Sequence, residues 1–112
     1  MFRLFAAAVI ALSQSSALRP EQAKDHVGQQ VVVEGVVAQV SHSTKSNTTF
    51  LNFCNPYPNY CFEAVIFQSA QAQFPDASNW QAKKVRVSGV VKMYQGKPEV
   101  VLDKKQQVEV VK

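Results

Sequence analysis

Two segments, V-V-V-E-G-V-V-A-Q-V at 31–40 and V-R-V-S-G-V-V-K-M-Y at 85–94, agree at five of ten positions, including a central glycine. β-branched residues at this density favour a pleated strand over a helix. In the second segment Val85 and Val87 alternate with Arg86 and Ser88, which turns the valines to one face and the polar residues to the other. A glycine inside a strand marks a bulge or a sharp bend, so the pleat phase beyond it stays open. Gly35 and Gly89 therefore predict two long strands, each bending at its glycine to serve two sheets, as closure of a small barrel requires. The chain has 112 residues, of which 46% are hydrophobic and 18% charged. That length and balance exclude a disordered chain, a multidomain enzyme and a polytopic membrane protein.

Other strands read from shorter patterns. T-F-L-N-F at 49–53 and C-F-E-A-V-I-F at 61–67 are apolar runs joined by a proline-rich loop. Residues 68–82 lack β-branched side chains and predict a short helix interrupted at Pro75, with Trp80 as a lid on the base of the barrel. Y-Q-G-K at 94–97 is a tight turn, P-E-V-V-L-D at 98–103 a strand, and Q-V-E-V-V ends the chain. Residues 18–27, with Pro20 near the start, allow one helical turn.

The N-terminus carries one basic residue, Arg3, then the apolar run L-F-A-A-A-V-I-A-L, then small residues at Ser15 and Ala17. This is the pattern of a secretory leader over residues 1–17, cut after Ala17, and the run is too short to span a bilayer. The expected product is a periplasmic or secreted monomer over residues 18–112, with no membrane insertion. In an oxidising compartment Cys54 and Cys61 read as a disulfide around N-P-Y-P-N-Y. Closing so small a ring contributes roughly 2–3 kcal/mol, less where Pro56 and Pro58 already stiffen it. A zinc site would need four ligands, and only His26 and His42 remain to complete one. No metal and no cofactor are expected.

Charge is unevenly placed. Residues 18–82 hold three bases against five acids, and residues 83–112 hold eight bases against three. A basic C-terminal segment suits a polyanion or an acidic envelope surface, and equally a solvated lysine-rich face.

Strand, strand, strand, short helix, strand, strand, with V-x-G-V-V, T-F-L-N-F, A-V-I-F, V-x-V-S-G-V-V and G-K-P-E-V-V-L in order, resembles the nucleic-acid-binding OB family that includes anticodon-binding domains. The resemblance covers residues 27–111 and implies an all-β, five-stranded Greek-key barrel with a short helix between strands 3 and 4. It also implies a groove over strands 2 and 3. Carried onto this chain, the groove takes Phe50 and Asn52 from strand 2, provided that Leu51 and Phe53 face the core. His42, Lys45 and Thr48 join from the first loop, Lys92, Tyr94 and Lys97 from the second hairpin, and Tyr57 and Tyr60 from the disulfide loop. Aromatic faces among lysines suit single-stranded nucleic acid, DNA or RNA, because bases stack on rings while cations track phosphates. Arg86 is the single arginine of residues 27–111, which argues against sequence-specific reading. An envelope protein or a small ligand on the same face is the alternative.

Catalysis is not expected. Glu34, Glu63, Glu99 and Asp103 are scattered along the strands, and no G-x-S-x-G, H-E-x-x-H or glycine-rich phosphate loop occurs. Asn47-Thr48-Thr49 fits a glycosylation acceptor, of consequence only in a eukaryotic secretory pathway.

Overall fold

The first valine segment is one strand, β1 (Gln30–Ser43), and it serves two partners in turn. Its first half, Gln30–Val36, pairs antiparallel with β4 (Lys84–Val90), and its second half, Val37–Ser43, with β2 (Thr48–Phe53). The computed structural model describes residues 17–112. The expected leader thus lies outside the described residues, apart from Ala17, which is exposed.

β2 continues to β3 (Phe62–Ile66), β3 pairs in parallel with β6 (Lys97–Val101), and β6 pairs with β5 (Lys92–Tyr94). On the other side β4 carries β7 (Val108–Val110). The hydrogen-bonded order is β5-β6-β3-β2-β1-β4-β7. We call β1 (first half), β4 and β7 the short wing, and β1 (second half), β2, β3, β6 and β5 the long wing.

Three details correct the sequence expectation. The described sheet has seven strands rather than five, because the expected fourth strand divides at Val91 into β4 and β5, and the terminal V-E-V adds β7. The division has a local cause: the Val91 N–H donates to the Gln29 carbonyl and the Val91 carbonyl accepts from Gly28 N–H, at 3.0 and 2.7 Å, so a loop claims both of its backbone groups. The ladder also does not close into a ring. Its end strand β5 returns beside the end of β4 because one residue separates them. Third, the irregular register of β1 falls between Val37 and Gln39, not at Gly35. Gly35 is required for close approach instead, since a Cβ there would stand 2.4 Å from Pro20 Cγ. Gly89 has the same role, with Val100 Cγ1 at 2.5 Å.

The expected helical stretch is a pair of 3₁₀ turns, Gln68–Gln73 and Ala77–Asn79, on either side of Pro75. A third, Pro20–His26, precedes β1, and a fourth, Lys105–Gln107, precedes β7. Val33, Val37, Leu51, Phe53, Phe62, Ala64, Ile66, Val85, Val87, Val100 and Leu102 fill the core between the wings. Phe74 and Trp80 meet edge to face, ring centroids 6.2 Å apart, and belong to the same buried cluster.

Candidate binding face

Strand alternation decides what the long wing shows to the outside. Leu51 and Phe53 of β2 are fully buried in the core, so Phe50 and Asn52 project from the opposite face. The register then lines up two rows. Gln39, Asn52, Glu63, Glu99 and Lys92 are successive partners across β1, β2, β3, β6 and β5. Ser41, Phe50, Val65 and Val101 form the parallel row beside it.

The first row should be wet, yet its centre is dry. Asn52 is 1% exposed, Glu63 6% and Glu99 4%. The loop between Cys54 and Cys61 accounts for this. The two cysteines are bonded, with Cα atoms 5.6 Å apart. On one side Tyr57 N–H donates to Gln39 Oε1 at 2.9 Å. On the other, Lys97 Nζ donates to the carbonyls of Pro58 and Tyr60 at 3.1 and 2.6 Å, and stands 4.5 Å from the centre of the Tyr60 ring. Tyr60 is buried while Tyr57, stacked on it at 6.2 Å, is 70% exposed.

Burial without enough donors sets the electrostatics. Burial and the neighbouring Glu99 push the Glu63 carboxyl up to about 7, against a smaller pull downward from Lys97. Burial raises Glu99 too, opposed by Lys92, whose Nζ lies 3.7 Å from Glu99 Oε1. The Tyr60 hydroxyl is raised by burial and by the charges of Glu63 and Glu99. Asn52 Nδ2 donates to Gln39 Oε1 at 3.3 Å, but Asn52 Oδ1 has no partner.

Three comparisons bear on this arrangement. An aspartyl-tRNA synthetase from Entamoeba histolytica superposes with a TM-score of 0.61 at 15% identity, over 85% of this chain and 21% of its own. An asparaginyl-tRNA synthetase from Pyrococcus horikoshii gives 0.62 at 22% identity, over 85% and 23%. OBody AM1L10 bound to hen egg-white lysozyme gives 0.64 at 13% identity, over 87% and 94%. The fold is an OB fold. The chain spans about a fifth of the synthetases it matches and nearly the full length of the OBody. No protein family and no curated protein sequence matches it.

Within the OB fold, the residues singled out from sequence fall into three groups. Phe50, Asn52, Tyr57, Tyr60, Lys92, Tyr94 and Lys97 gather on or beside the outer face of the long wing. Of these, Tyr57 and Tyr94 are well exposed, Tyr94 at 53%, whereas Asn52 is sealed beneath the loop. His42 stands apart. It pairs with Thr49, out of phase with Ser41 and Phe50, and so turns to the other face of the sheet. There its Nδ1 lies 2.9 Å from Thr49 Oγ1, which donates to Gln71 Oε1 at 3.2 Å. Lys45 is exposed in the β1–β2 turn, and Thr48 is buried, its hydroxyl donating to the Ser46 carbonyl at 3.3 Å.

Glu63 and Glu99, read as scattered carboxylates, are direct neighbours across the parallel β3–β6 ladder. Both carry a visible signal in the sequence, a lone carboxylate inside an apolar strand run: C-F-E-A-V-I-F and P-E-V-V-L. Gln39 was also missed, and it is the residue that ties Asn52 to Tyr57.

Proposed function

We propose that this OB domain is an exported module that binds single-stranded nucleic acid with low sequence specificity, and that it binds rather than catalyses. The observation that carries the reading is the pairing of exposed rings with lysines along one rim. Tyr57 and Tyr94 offer open faces, and Lys97, partner of Tyr94 in the β5–β6 hairpin, lies on the ring of Tyr60. Lys92 stands two residues before Tyr94 on β5, with Phe50 in the adjoining row. Base stacking on such rings contributes about 1–3 kcal/mol each, with lysines tracking the backbone. A tied Cys54–Cys61 loop supports an oxidising compartment, hence the periplasm or outside the cell.

The test is fluorescence anisotropy of labelled oligo-dT at low and moderate salt. The expected result is micromolar binding that weakens with salt, by a slope of roughly 0.7 per phosphate neutralised. A Tyr57→Ala/Tyr94→Ala variant should lose about 30-fold or more, from two rings at about 1–3 kcal/mol each. Absence of binding at low salt would overturn the reading. A protein partner is the second reading, favoured by the lysozyme-bound OBody, and it predicts weak salt dependence.

A further inference from the structure

The centre of the face is closed by the domain's own loop, and the closure is built around charge. In an open sheet the side chains of Asn52, Glu63 and Glu99 would meet solvent, since they alternate with the core residues Leu51, Phe53, Phe62, Ala64 and Val100. The loop instead covers all but a few per cent of each, held by Gln39 at one side and Lys97 at the other. Several elements contribute titratable or charged groups around Glu63: Tyr60 and Tyr57 from the loop, Glu99 and Lys97 from β6, Lys92 and Tyr94 from β5. β2 adds the neutral Asn52, whose oxygen is an acceptor without a donor. Lys97 directs its ammonium to the loop carbonyls, and Lys92 lies against Glu99. Of the two glutamates, Glu99 has Lys92 within ion-pair distance while Glu63 has no hydrogen bond or ion pair among the described residues, and two ionised glutamates under one loop repel each other.

We propose that the Cys54–Cys61 loop is a proton-gated cover on the binding face, closed while Glu63 is neutral and loosened when Glu63 and Glu99 are both ionised. A neutral Glu63 carries a hydroxyl, the kind of donor that Asn52 Oδ1 lacks. The sign follows from linkage. Under the closed loop Glu63 holds its proton to about 7, whereas free in solvent its reference value is 4.5. Closure is therefore undiminished below 4.5, weakens steadily as pH rises to about 7, and is constant above that. A difference of that size corresponds to a change of up to roughly 300-fold in the opening equilibrium.

The effect on ligand rests on the nucleic-acid reading. Tyr57 belongs to the loop, so loosening removes one stacking ring from the rim and uncovers two carboxylates toward phosphate. Oligonucleotide binding should weaken between pH 4.5 and 7 for both reasons.

The cover itself is tested without ligand, by NMR of the intact disulfide-bonded protein across pH 4.5 to 8. The expected result is a Glu63 carboxyl carbon titrating near 7, with the Tyr57 amide and the Tyr60 ring signals moving at the same midpoint. In Glu63→Gln those loop signals should be flat near that midpoint. Glu99→Gln, which removes the neighbouring charge, should lower the Glu63 midpoint and carry the loop transition down with it. An ordinary Glu63 midpoint, or a loop transition that either substitution leaves unchanged, would overturn the proposal. If the loop titrates but oligo-dT does not bind at any pH, the cover stands and the nucleic-acid reading falls.

Discussion

At the scale of single residues, Gln107 shows how much one side chain can join. Its Nε2 donates to the carbonyls of Ser88 and Val101 at 2.9 and 3.0 Å, and its Oε1 accepts from the N–H groups of Asp103 and Lys104 at 2.8 and 2.9 Å. One amide thereby links β4, the end of β6 and the start of the turn before β7. Replacing the amide with a carboxylate keeps the acceptor and turns the donor against two carbonyls. Gln107→Glu should cost about 1–3 kcal/mol, the usual penalty for leaving buried polar groups unmatched. Urea unfolding against the wild type checks it, and an unchanged midpoint would show that these bonds are replaced by water. Nothing in the sequence marks Gln107, because the groups it joins meet only when both wings are assembled.

At the scale of elements, the two 3₁₀ turns between β3 and β4 act through the aromatic pair they position. Pro75 separates them, Phe74 precedes it and Trp80 ends the second turn, so both rings reach one buried cluster. Trp80→Ala should lower stability by about 3–5 kcal/mol, as deletion of a large core aromatic does, and calorimetry would read it as a clear fall in Tm. The sequence made this element legible, because a stretch of alanine and glutamine broken by proline has few other ways to fold. The valine alternation of β4 was legible for the same kind of reason, since a period of two has one physical meaning. By contrast, the division at Val91 was not legible, because it depends on hydrogen bonds to Gly28 and Gln29 from another part of the chain. The Glu63–Glu99 pair was hidden likewise: a parallel ladder joins strands that a helical connection and two further strands keep apart in sequence. His42, read as a loop residue, stands instead on β1, which runs on to Ser43, and its phase there follows from the register beyond Ala38, where one residue of irregularity reverses inside and outside.

At the scale of the whole molecule, the buried glutamate sets a pH dependence of folding. Unfolding returns Glu63 to its reference value of 4.5, so this group leaves stability intact below that pH. The loss then grows as pH rises to about 7. Glu63→Gln should match the wild type near pH 4.5 and exceed it by about 1–3 kcal/mol at pH 8, discounted for partial solvent access. Urea titrations at the two pH values decide it, and a constant difference between the proteins would contradict the assignment. Glu34 acts in the opposite sense, held below its ordinary value by its hydrogen bond to Arg86 at 2.7 Å, but it is exposed to solvent screening.

The short wing receives both ends of the described chain. Leu18 bridges to β1 beside Val33, its N–H donating to the Val32 carbonyl and its carbonyl accepting from Glu34 N–H, each at 2.8 Å. At the other end β7 lies on β4, and Val111 N–H reaches the Lys84 carbonyl at 2.8 Å. Whatever is fused before Leu18 or after Val111 departs from that wing, while the rim of Tyr57 and Tyr94 belongs to the other. The domain can be immobilised on a sensor surface, displayed on a particle or strung in tandem copies from either terminus without joining a linker to the strands or loop that carry Tyr57 and Tyr94.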